Sequence, residues 1–159
     1  ALAALVRLSP VVPIAGSGKN LLQPLAVEDA AEAVVSAIEG GVRPGSIVDL
    51  GGPDALSYNR IVDTVAEELN RKIIKVHAPL RVLYPFAALA QRIVKTPPVT
   101  TAQLKMLRGD SVPSESLFEV ITDFAPRPLA GNIKYIQKLT MRDALRIAVG
   151  RMPRHIRDH

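Results

Sequence analysis

Cysteine is absent from this 159-residue chain, and so is tryptophan. Without cysteine the chain cannot form a disulfide, bind a metal through thiolates or use a cysteine nucleophile. Aromatic residues make up only 4% of the sequence, which is too few for the stacking platform that single-stranded nucleic acid needs. We therefore expect no disulfide framework, no thiolate metal site and no nucleic acid partner.

Long apolar runs are also missing. The stretches at 1–6 and 82–90 are too short or too interrupted to span a bilayer, which takes about 20 apolar residues. Hydrophobic residues nevertheless make up 48% of the chain, enough to bury a core. We predict a compact cytoplasmic protein, and the amphipathic start without methionine, Ala1 to Leu8, leads us to expect a piece of a longer one.

Positive charge is concentrated near the carboxyl end. Residues 1–126 hold 12 Lys+Arg against 13 Asp+Glu, whereas residues 127–159 hold 8 against 2. Such a tail is either a solvated face or a contact for an acidic protein or an anionic lipid surface, which would place the chain at the periphery of a membrane. The arginines concerned are Arg142, Arg146, Arg151, Arg154 and Arg157.

The first half of the chain alternates between helical and strand patterns. Apolar residues at helical spacing predict a helix over 27–39, with Ala30, Ala31, Val34, Val35 and Ile38 on its apolar face. A β-type run predicts a strand over 46–50, and Ser57 suits the amino-cap of a second helix over 58–70. The apolar face of this second helix is formed by Ile61, Val62, Val65, Ala66 and Leu69. A second strand is predicted over 72–77. This order of helix, strand, helix and strand is typical of an α/β layer.

After Pro79 the pattern becomes helical. We predict helices over 80–94, 101–108, 114–122 and 129–149, the last with a weak point at Gly131-Asn132. The fold class is therefore α/β, with an α/β part over 1–79 followed by a mainly helical part over 80–159. Two strands rarely form an independent sheet. We expect their apolar residues to need partners outside this chain, namely Val48, Leu50, Ile74 and Val76.

An ordered series of short motifs resembles the extended and atypical short-chain dehydrogenases, a family of NAD(P)-dependent epimerases, dehydratases and reductases. The matching stretches are Gly16 to Ala33 with its Gly-x-Gly, Gln-Pro and Val-x-Asp elements, Val48 to Pro53, Leu56 to Tyr58 with Ile61-Val62, and Lys75 to Leu80. Two later stretches, Gln103 to Arg108 and Phe124 to Leu129, are similar to the branch that contains the cofactor-holding accessory subunit of respiratory complex I. The resemblance implies a partial Rossmann-like layer followed by a substrate-side region.

The family's own chemical motifs are not in this chain. A Gly-rich loop that cradles the cofactor pyrophosphate is absent, and none of Tyr58, Tyr84 and Tyr135 has a lysine four residues later. The family places both motifs upstream of the Gly-x-Gly stretch. The resemblance therefore implies NAD or NADP in the parent protein, no catalytic residue and no cofactor in this chain alone, and a missing amino-terminal Rossmann half as partner.

The best candidates for binding a small-molecule substrate follow the Gly-x-Gly element. The stretch is no phosphate-binding P-loop, because Pro13 stands where its first glycine belongs and Asn20 where a Ser or Thr is needed. In the resembling family this loop lies beside the substrate, which makes Lys19, Asn20 and Gln23 the implied substrate-binding residues. Leu22 replaces the arginine that nucleotide-sugar members use for the diphosphate, which argues against such a substrate.

Asp29 and the three histidines are two further candidates for a functional role. Asp29 lies in the first turn of a predicted helix, where the helix dipole favours a carboxylate regardless of function. The histidines at 77, 155 and 159 are scattered and form no cluster at metal spacing, so no metal site is expected.

Two hypotheses about function follow from the resemblance. The first is the substrate-side part of an NAD(P)-dependent epimerase-, dehydratase- or reductase-like enzyme. The alternative is a non-catalytic subunit that holds a cofactor or assists assembly of a larger, respiratory-type complex, with its basic tail facing a partner or a lipid surface.

Overall fold

The structure, a computed structural model, describes residues 2–93, 101–106, 109–113 and 116–148. Its helices and strands follow in the order α1 Leu2–Leu8, β1 Val11–Ala15, β2 Leu21–Leu22, α2 Val27–Ser36, β3 Leu56–Ser57, α3 Tyr58–Glu68, β4 Ile74–Ala78, α4 Leu80–Ile93, α5 Thr101–Met106, α6 Phe118–Ile121 and α7 Met141–Ala148. A π-helical turn, Ala37–Gly41, extends α2, and a 3-10 helix, Lys134–Lys138, precedes α7. The predicted mixed α/β class is confirmed.

The main sheet has two parallel strands among the described residues. β1 pairs with β4, with Val11 opposite Ile74 and Ala15 opposite Ala78. A second, very short sheet joins β2 to β3 in antiparallel fashion. The strand predicted over 72–77 is present as β4. β1, β2 and β3 are not predicted, because Pro13 stands in the middle of β1 and because β2 and β3 have only two residues each, too few to show the alternation of a strand. A two-stranded sheet assigns no Rossmann fold by itself.

The core lies on one face of the β1–β4 sheet. Val12 and Ile14 of β1 are buried and pack with Val62 and Val65 of α3. This is the apolar face that the sequence predicts for that helix, and the amino-cap is also confirmed, since Ser57 Oγ accepts the Arg60 backbone N–H at 3.2 Å. The opposite face of the sheet, formed by Val11, Ile74 and Val76, is exposed. The prediction that Ile74 and Val76 need partners stays a prediction.

Three predicted elements are wrong or shorter than expected. Residues 46–50 form no strand, because no described strand pairs with them. Among the described residues, the helix predicted over 114–122 is present only as α6, and Leu117, which precedes α6, has non-helical backbone angles. The helix predicted over 129–149 is broken, since Gly131 adopts a φ of 80° and, of residues 129–148, only α7 is α-helical. Gly131 and Asn132 thus lie in a turn that interrupts the predicted helix, and they do not form a bend within a continuous helix.

The helix α2 has the predicted location but buries a different face. Val34 is 55% exposed, Val35 50% and Ile38 80%, although the spacing marks them as apolar-face residues. Asp29 and Ala33 are buried instead. The reason is that β1, α3 and α1 fill the core. Apart from its own π-helical extension, α2 contacts α6 among the elements of the described chain.

The helices predicted over 80–94 and 101–108 are present as α4 and α5. Of the basic tail, Arg142 and Arg146 are exposed on α7, while Arg151, Arg154 and Arg157 lie outside the described residues, as do His155 and His159. α7 packs against α1 through Ala144, Leu139 and Ala4. Of the described helices, none is both long and apolar enough to cross a membrane.

Candidate functional site

The carboxyl ends of the two parallel strands meet at one edge of the sheet. β1 ends at Ala15 and β4 at Ala78, and the Gly16 N–H donates to the Ala78 carbonyl at 2.8 Å. In open α/β sheets ligands bind at this carboxyl edge, because strands end there and loops with free side chains begin. The Gly16-Ser17-Gly18 turn forms the edge, which we call the carboxyl edge below.

The turn presents carbonyl groups, not N–H groups, to the neighbouring helix. The Gly18 carbonyl accepts the Asn59 N–H at 3.0 Å, and the Asn20 carbonyl accepts the Tyr58 N–H at 3.1 Å. Together with the Ser57 cap, these contacts occupy the first N–H groups of α3. An anion site at a helix amino-terminus needs such groups free. The arrangement therefore offers no phosphate cradle at α3.

Glycine is required at position 18. Its φ is +64°, and a Cβ there would lie 2.6 Å from both Asn59 Oδ1 and Ile14 Cγ2. L-amino acids with side chains rarely adopt such a φ, and the close approach lets the turn reach α3. The turn is thereby fixed against both the strand and the helix.

A histidine joins this edge from β4. Asn59 Nδ2 donates to the Ser17 carbonyl at 3.1 Å, so its Oδ1 acts as acceptor and faces His77 Nε2 at 3.2 Å. Because a carbonyl oxygen can only accept, Nε2 carries the proton in this contact. Asn59 thus orients an exposed imidazole at the carboxyl edge.

The three predicted substrate-binding residues lie in different surroundings. Lys19 is exposed, and its backbone N–H donates to Ser17 Oγ at 3.3 Å. The Asn20 amide nitrogen is buried and has no hydrogen-bond partner in the described part of the chain. Leaving a buried donor unpaired costs about 1–3 kcal/mol. Lys19 and Asn20 follow the turn directly and belong to the carboxyl edge.

Gln23 serves a structural contact. Its Nε2 donates to the Gly52 carbonyl at 2.6 Å, and the Gly52 N–H donates back to the Gln23 carbonyl at 3.4 Å. A Cβ at Gly52 would lie 1.8 Å from the Pro24 carbonyl oxygen. The Gln-Pro and Gly-Gly-Pro elements are therefore packed backbone to backbone, and one of the two N–H donors of the Gln23 side-chain amide is bonded to Gly52.

A buried carboxylate fixes a distant segment to α2. The Asp29 side chain is 0% exposed, and its Oδ1 accepts Arg127 Nε at 2.7 Å. Its Oδ2 accepts the Arg127 backbone N–H at 2.7 Å. The structural interpretation of Asp29 accounts for both oxygens, although the partner is a residue 98 positions away and not only the helix dipole.

Tyr58 begins α3 beside the carboxyl edge, and burial raises its pKa above the ordinary 10.0. The folded chain therefore holds the phenol proton more tightly than the unfolded chain. This contribution to stability is complete below about pH 10 and is lost as pH rises through the raised pKa. A phenol of this kind stays neutral at neutral pH and is no general base.

We expect the tyrosinate absorbance of the folded chain to include a phase above pH 10.0 that Tyr58→Phe removes. Tyr135→Phe, which changes an exposed ring, should leave that phase in place. Complete tyrosine ionisation in the folded chain below that pH would contradict the assignment.

Neither a group of metal ligands nor a similarity to known proteins gives further information on the function of this site. Across the described residues, no group of three or more His, Asp or Glu side chains is placed to hold a metal. A comparison with models of known protein families finds no match for the chain, and a comparison with curated proteins finds no similar sequence. The function must therefore be argued from the site itself.

Sequence reasoning missed Asn59 and His77 as site residues. Asn59 is the second residue of a capped helix and His77 stands near the end of a strand. Each position alone is ordinary. The usable signal was the Gly-x-Gly turn after β1 together with the later pair α3 and β4. Once β1 and β4 are parallel neighbours, the start of α3 and the end of β4 lie beside that turn.

Proposed function

We propose that this chain forms the substrate-side part of an NAD(P)-dependent epimerase-, dehydratase- or reductase-like protein. The observation that carries the proposal is the carboxyl edge, where Ser17, Lys19, Asn59 and His77 gather at the ends of two parallel strands. This is the edge at which α/β proteins bind small ligands. The family resemblance adds the cofactor and the reaction class.

The described side chains suit binding and orientation of a polar substrate. Lys19 offers a flexible cation for an anionic or carbonyl oxygen, and His77 offers an imidazole whose orientation is set by Asn59. Asn20 contributes a buried amide donor. With Gln23 bonded to Gly52, we assign it to holding the loop, and the proposed substrate contacts are Lys19, Asn20 and His77.

Hydride and proton transfer would belong to the amino-terminal half of the protein. When bound there, the nicotinamide would supply or accept the hydride. This chain has no tyrosine–lysine pair at the family's spacing, and burial raises the pKa of Tyr58. Its role is to shape the pocket and hold the substrate against the cofactor.

The alternative, a cofactor-holding or assembly subunit without turnover, is favoured by one feature of α7. Arg142 and Arg146 are exposed beside Met141 and Leu145, which are 51% and 57% exposed. A basic helix with exposed apolar side chains suits an acidic protein or an anionic lipid surface. An intact Tyr-x-x-x-Lys in the upstream half favours the enzyme, and its loss favours the subunit.

Cofactor titration tests the division of labour. Residues 1–159 alone should show no saturable binding of NADH or NADPH by nicotinamide fluorescence, because no Gly-rich loop is present to hold the pyrophosphate. The chain joined to the polypeptide encoded directly upstream should bind one of them.

Two variants sharpen this test in the joined protein. Lys19→Met and His77→Phe should weaken substrate binding while leaving cofactor affinity unchanged. Lys134→Met, at an exposed lysine in the 3-10 helix, is the matched control. Micromolar cofactor binding by residues 1–159 alone would overturn the proposal.

A further inference from the structure

A long central part of the chain contains no acidic residue. Residues 69–109 hold eight Lys or Arg and no Asp or Glu, whereas the rest of the chain holds 12 Lys+Arg against 15 Asp+Glu. This span includes β4, α4 and α5. Its exposed cations in the described chain are Arg71, Lys72, Arg81, Arg92 and Lys105. A surface with one sign of charge attracts a partner with the opposite sign.

Helix α4 exposes an apolar stripe within this span. Val82 is 51% exposed, Phe86 66% and Leu89 55%. Spacings of four and three residues place these side chains within about 60° of one another around the helix, because successive residues turn by about 100°. The other side of α4 includes the buried Ala87, and the helix contacts α5. The described chain therefore leaves the stripe open, and exposed apolar surface of this kind marks an interaction site.

Two arginines accompany the stripe. Arg81 directly precedes its first residue and Arg92 follows its last by three positions. Helix geometry places both on the same flank, about 90° from the centre of the stripe, and both are exposed. The long aliphatic stem of arginine lets the charged group reach a polar layer while the neighbouring side chains enter an apolar one. We call the stripe and these two arginines the α4 surface.

Charge and side-chain chemistry decide between possible occupants. A second copy docked through α4 would bring arginines together, and α4 has no acidic residue to pair with them. A protein partner normally makes hydrogen bonds across the contact and favours tyrosine and tryptophan, but the stripe offers neither. An anionic lipid surface needs only apolar side chains and flanking cations. With 14 residues, α4 is too short to span a bilayer, which takes about 20.

We infer that the α4 surface binds an anionic lipid surface, with α4 lying along the boundary between membrane and water. Val82, Phe86 and Leu89 enter the zone between headgroups and acyl chains, and the two arginines contact the lipid phosphates. Burial of apolar surface and electrostatic attraction act together in this contact. The inference does not rest on the proposed function, because it uses neither the carboxyl edge nor a cofactor.

Co-sedimentation of residues 1–159 with vesicles measures the binding. Vesicles of equimolar phosphatidylcholine and phosphatidylglycerol should bind the chain at least about tenfold more tightly than pure phosphatidylcholine vesicles, because only the former attract the arginines. Raising the salt concentration from about 0.1 M to about 1 M shortens the Debye length from about 10 Å to about 3 Å. Binding to the anionic vesicles should therefore weaken.

Glutamine substitutions test the apolar stripe. Phe86→Gln with Leu89→Gln should weaken binding to the anionic vesicles at least about tenfold, because two apolar side chains no longer leave water. The matched control is Val34→Gln with Ile38→Gln, which changes two exposed apolar residues of α2 and its π-helical extension and should bind as wild type does. Both pairs should leave the unfolding midpoint near the wild-type value, since all four side chains are exposed.

Arginine substitutions separate α4 from α7. Arg81→Gln with Arg92→Gln should weaken binding to the anionic vesicles and leave binding to phosphatidylcholine unchanged. Arg142→Gln with Arg146→Gln removes the same amount of charge from exposed positions on α7 and should bind as wild type does. If only the α7 pair weakens binding, the lipid contact belongs to α7 and the inference about α4 is overturned.

A fluorescent reporter locates the contact. Because the chain has no tryptophan, Phe86→Trp gives a single indole, whose emission should shift to the blue on the anionic vesicles, whereas that of Ile38→Trp should not. Absence of vesicle binding at low salt, or of a shift for Phe86→Trp, overturns the inference. Poly-glutamate replaces the vesicles as a probe for an acidic protein. If the α4 surface binds poly-glutamate and no vesicles, its partner is an acidic protein and the lipid inference is overturned.

Discussion

Gly52→Ala should destabilise the chain by about 3 kcal/mol, near the upper end of the usual cost of overpacking. A Cβ at this position would lie 1.8 Å from the Pro24 carbonyl oxygen and 2.8 Å from its carbon. Both are backbone atoms, so neither can rotate away. The loop must therefore separate from Gln23-Pro24, and the hydrogen bonds between Gln23 and Gly52 are lost with it.

Urea unfolding at neutral pH measures this cost, with two other glycines as controls. Gly109→Ala should change stability by less than about 0.5 kcal/mol, because no atom of the described residues lies within 4 Å of the added Cβ. Gly51→Ala should cost less than Gly52→Ala, since its Cβ meets the flexible Gln23 side chain at 2.7 Å. A Gly52→Ala protein as stable as wild type would show that the two loops are not in backbone contact.

Arg127→Met should cost about 3 kcal/mol by leaving the Asp29 carboxylate buried without its cation. We place the cost at the lower end of the range for broken buried pairs, because the Arg127 side chain is 49% exposed and its backbone N–H still donates to Asp29. Methionine retains most of the aliphatic stem, so the loss reports the charge. Adding Asp29→Asn should recover part of the stability, because no buried charge remains.

The matched control for this variant is Arg60→Met. Arg60 pairs with Glu67 at 3.1 Å, and both side chains are more than half exposed, so the loss should stay under about 1 kcal/mol. Equal losses for Arg127→Met and Arg60→Met in chemical denaturation would mean that the burial of Asp29 does not raise the cost of removing its partner.

Gly52→Ala and Arg127→Met both act on contacts that join residues far apart in the chain. Asp29 holds Arg127, the Gly51 N–H donates to Ser116 Oγ at 3.2 Å, and the Leu21 N–H donates to Asp110 Oδ1 at 2.7 Å. Each of these connects a residue before Pro79 with one after it. In the described chain, the loops that connect the carboxyl-terminal helices therefore fix the segments that form and flank the carboxyl edge.

Elements whose signals are local could be predicted from the sequence. The cap and apolar face of α3 and the locations of α4 and β4 depend on side-chain chemistry and on spacing within a few residues, and these predictions are confirmed. The turn after β1 could also be predicted from the run Gly16-Ser17-Gly18. In the structure both glycines adopt the positive φ that glycine favours. The failed phosphate-loop pattern was evident from Pro13 and Asn20 alone.

Tertiary structure decided everything that depends on distant partners. A strand exists only when another strand pairs with it, so residues 46–50 remain unpaired while β1, with proline at its centre, pairs with β4. The apolar spacing of α2 predicts a buried stripe but cannot say what covers it, and the described chain covers Asp29 instead. Asn59, His77 and Lys19 converge only because two strands run parallel, and Gln23 is bonded to Gly52 only because two loops meet. Such contacts depend on the three-dimensional path of the chain, which the spacing of residues in a single sequence does not specify.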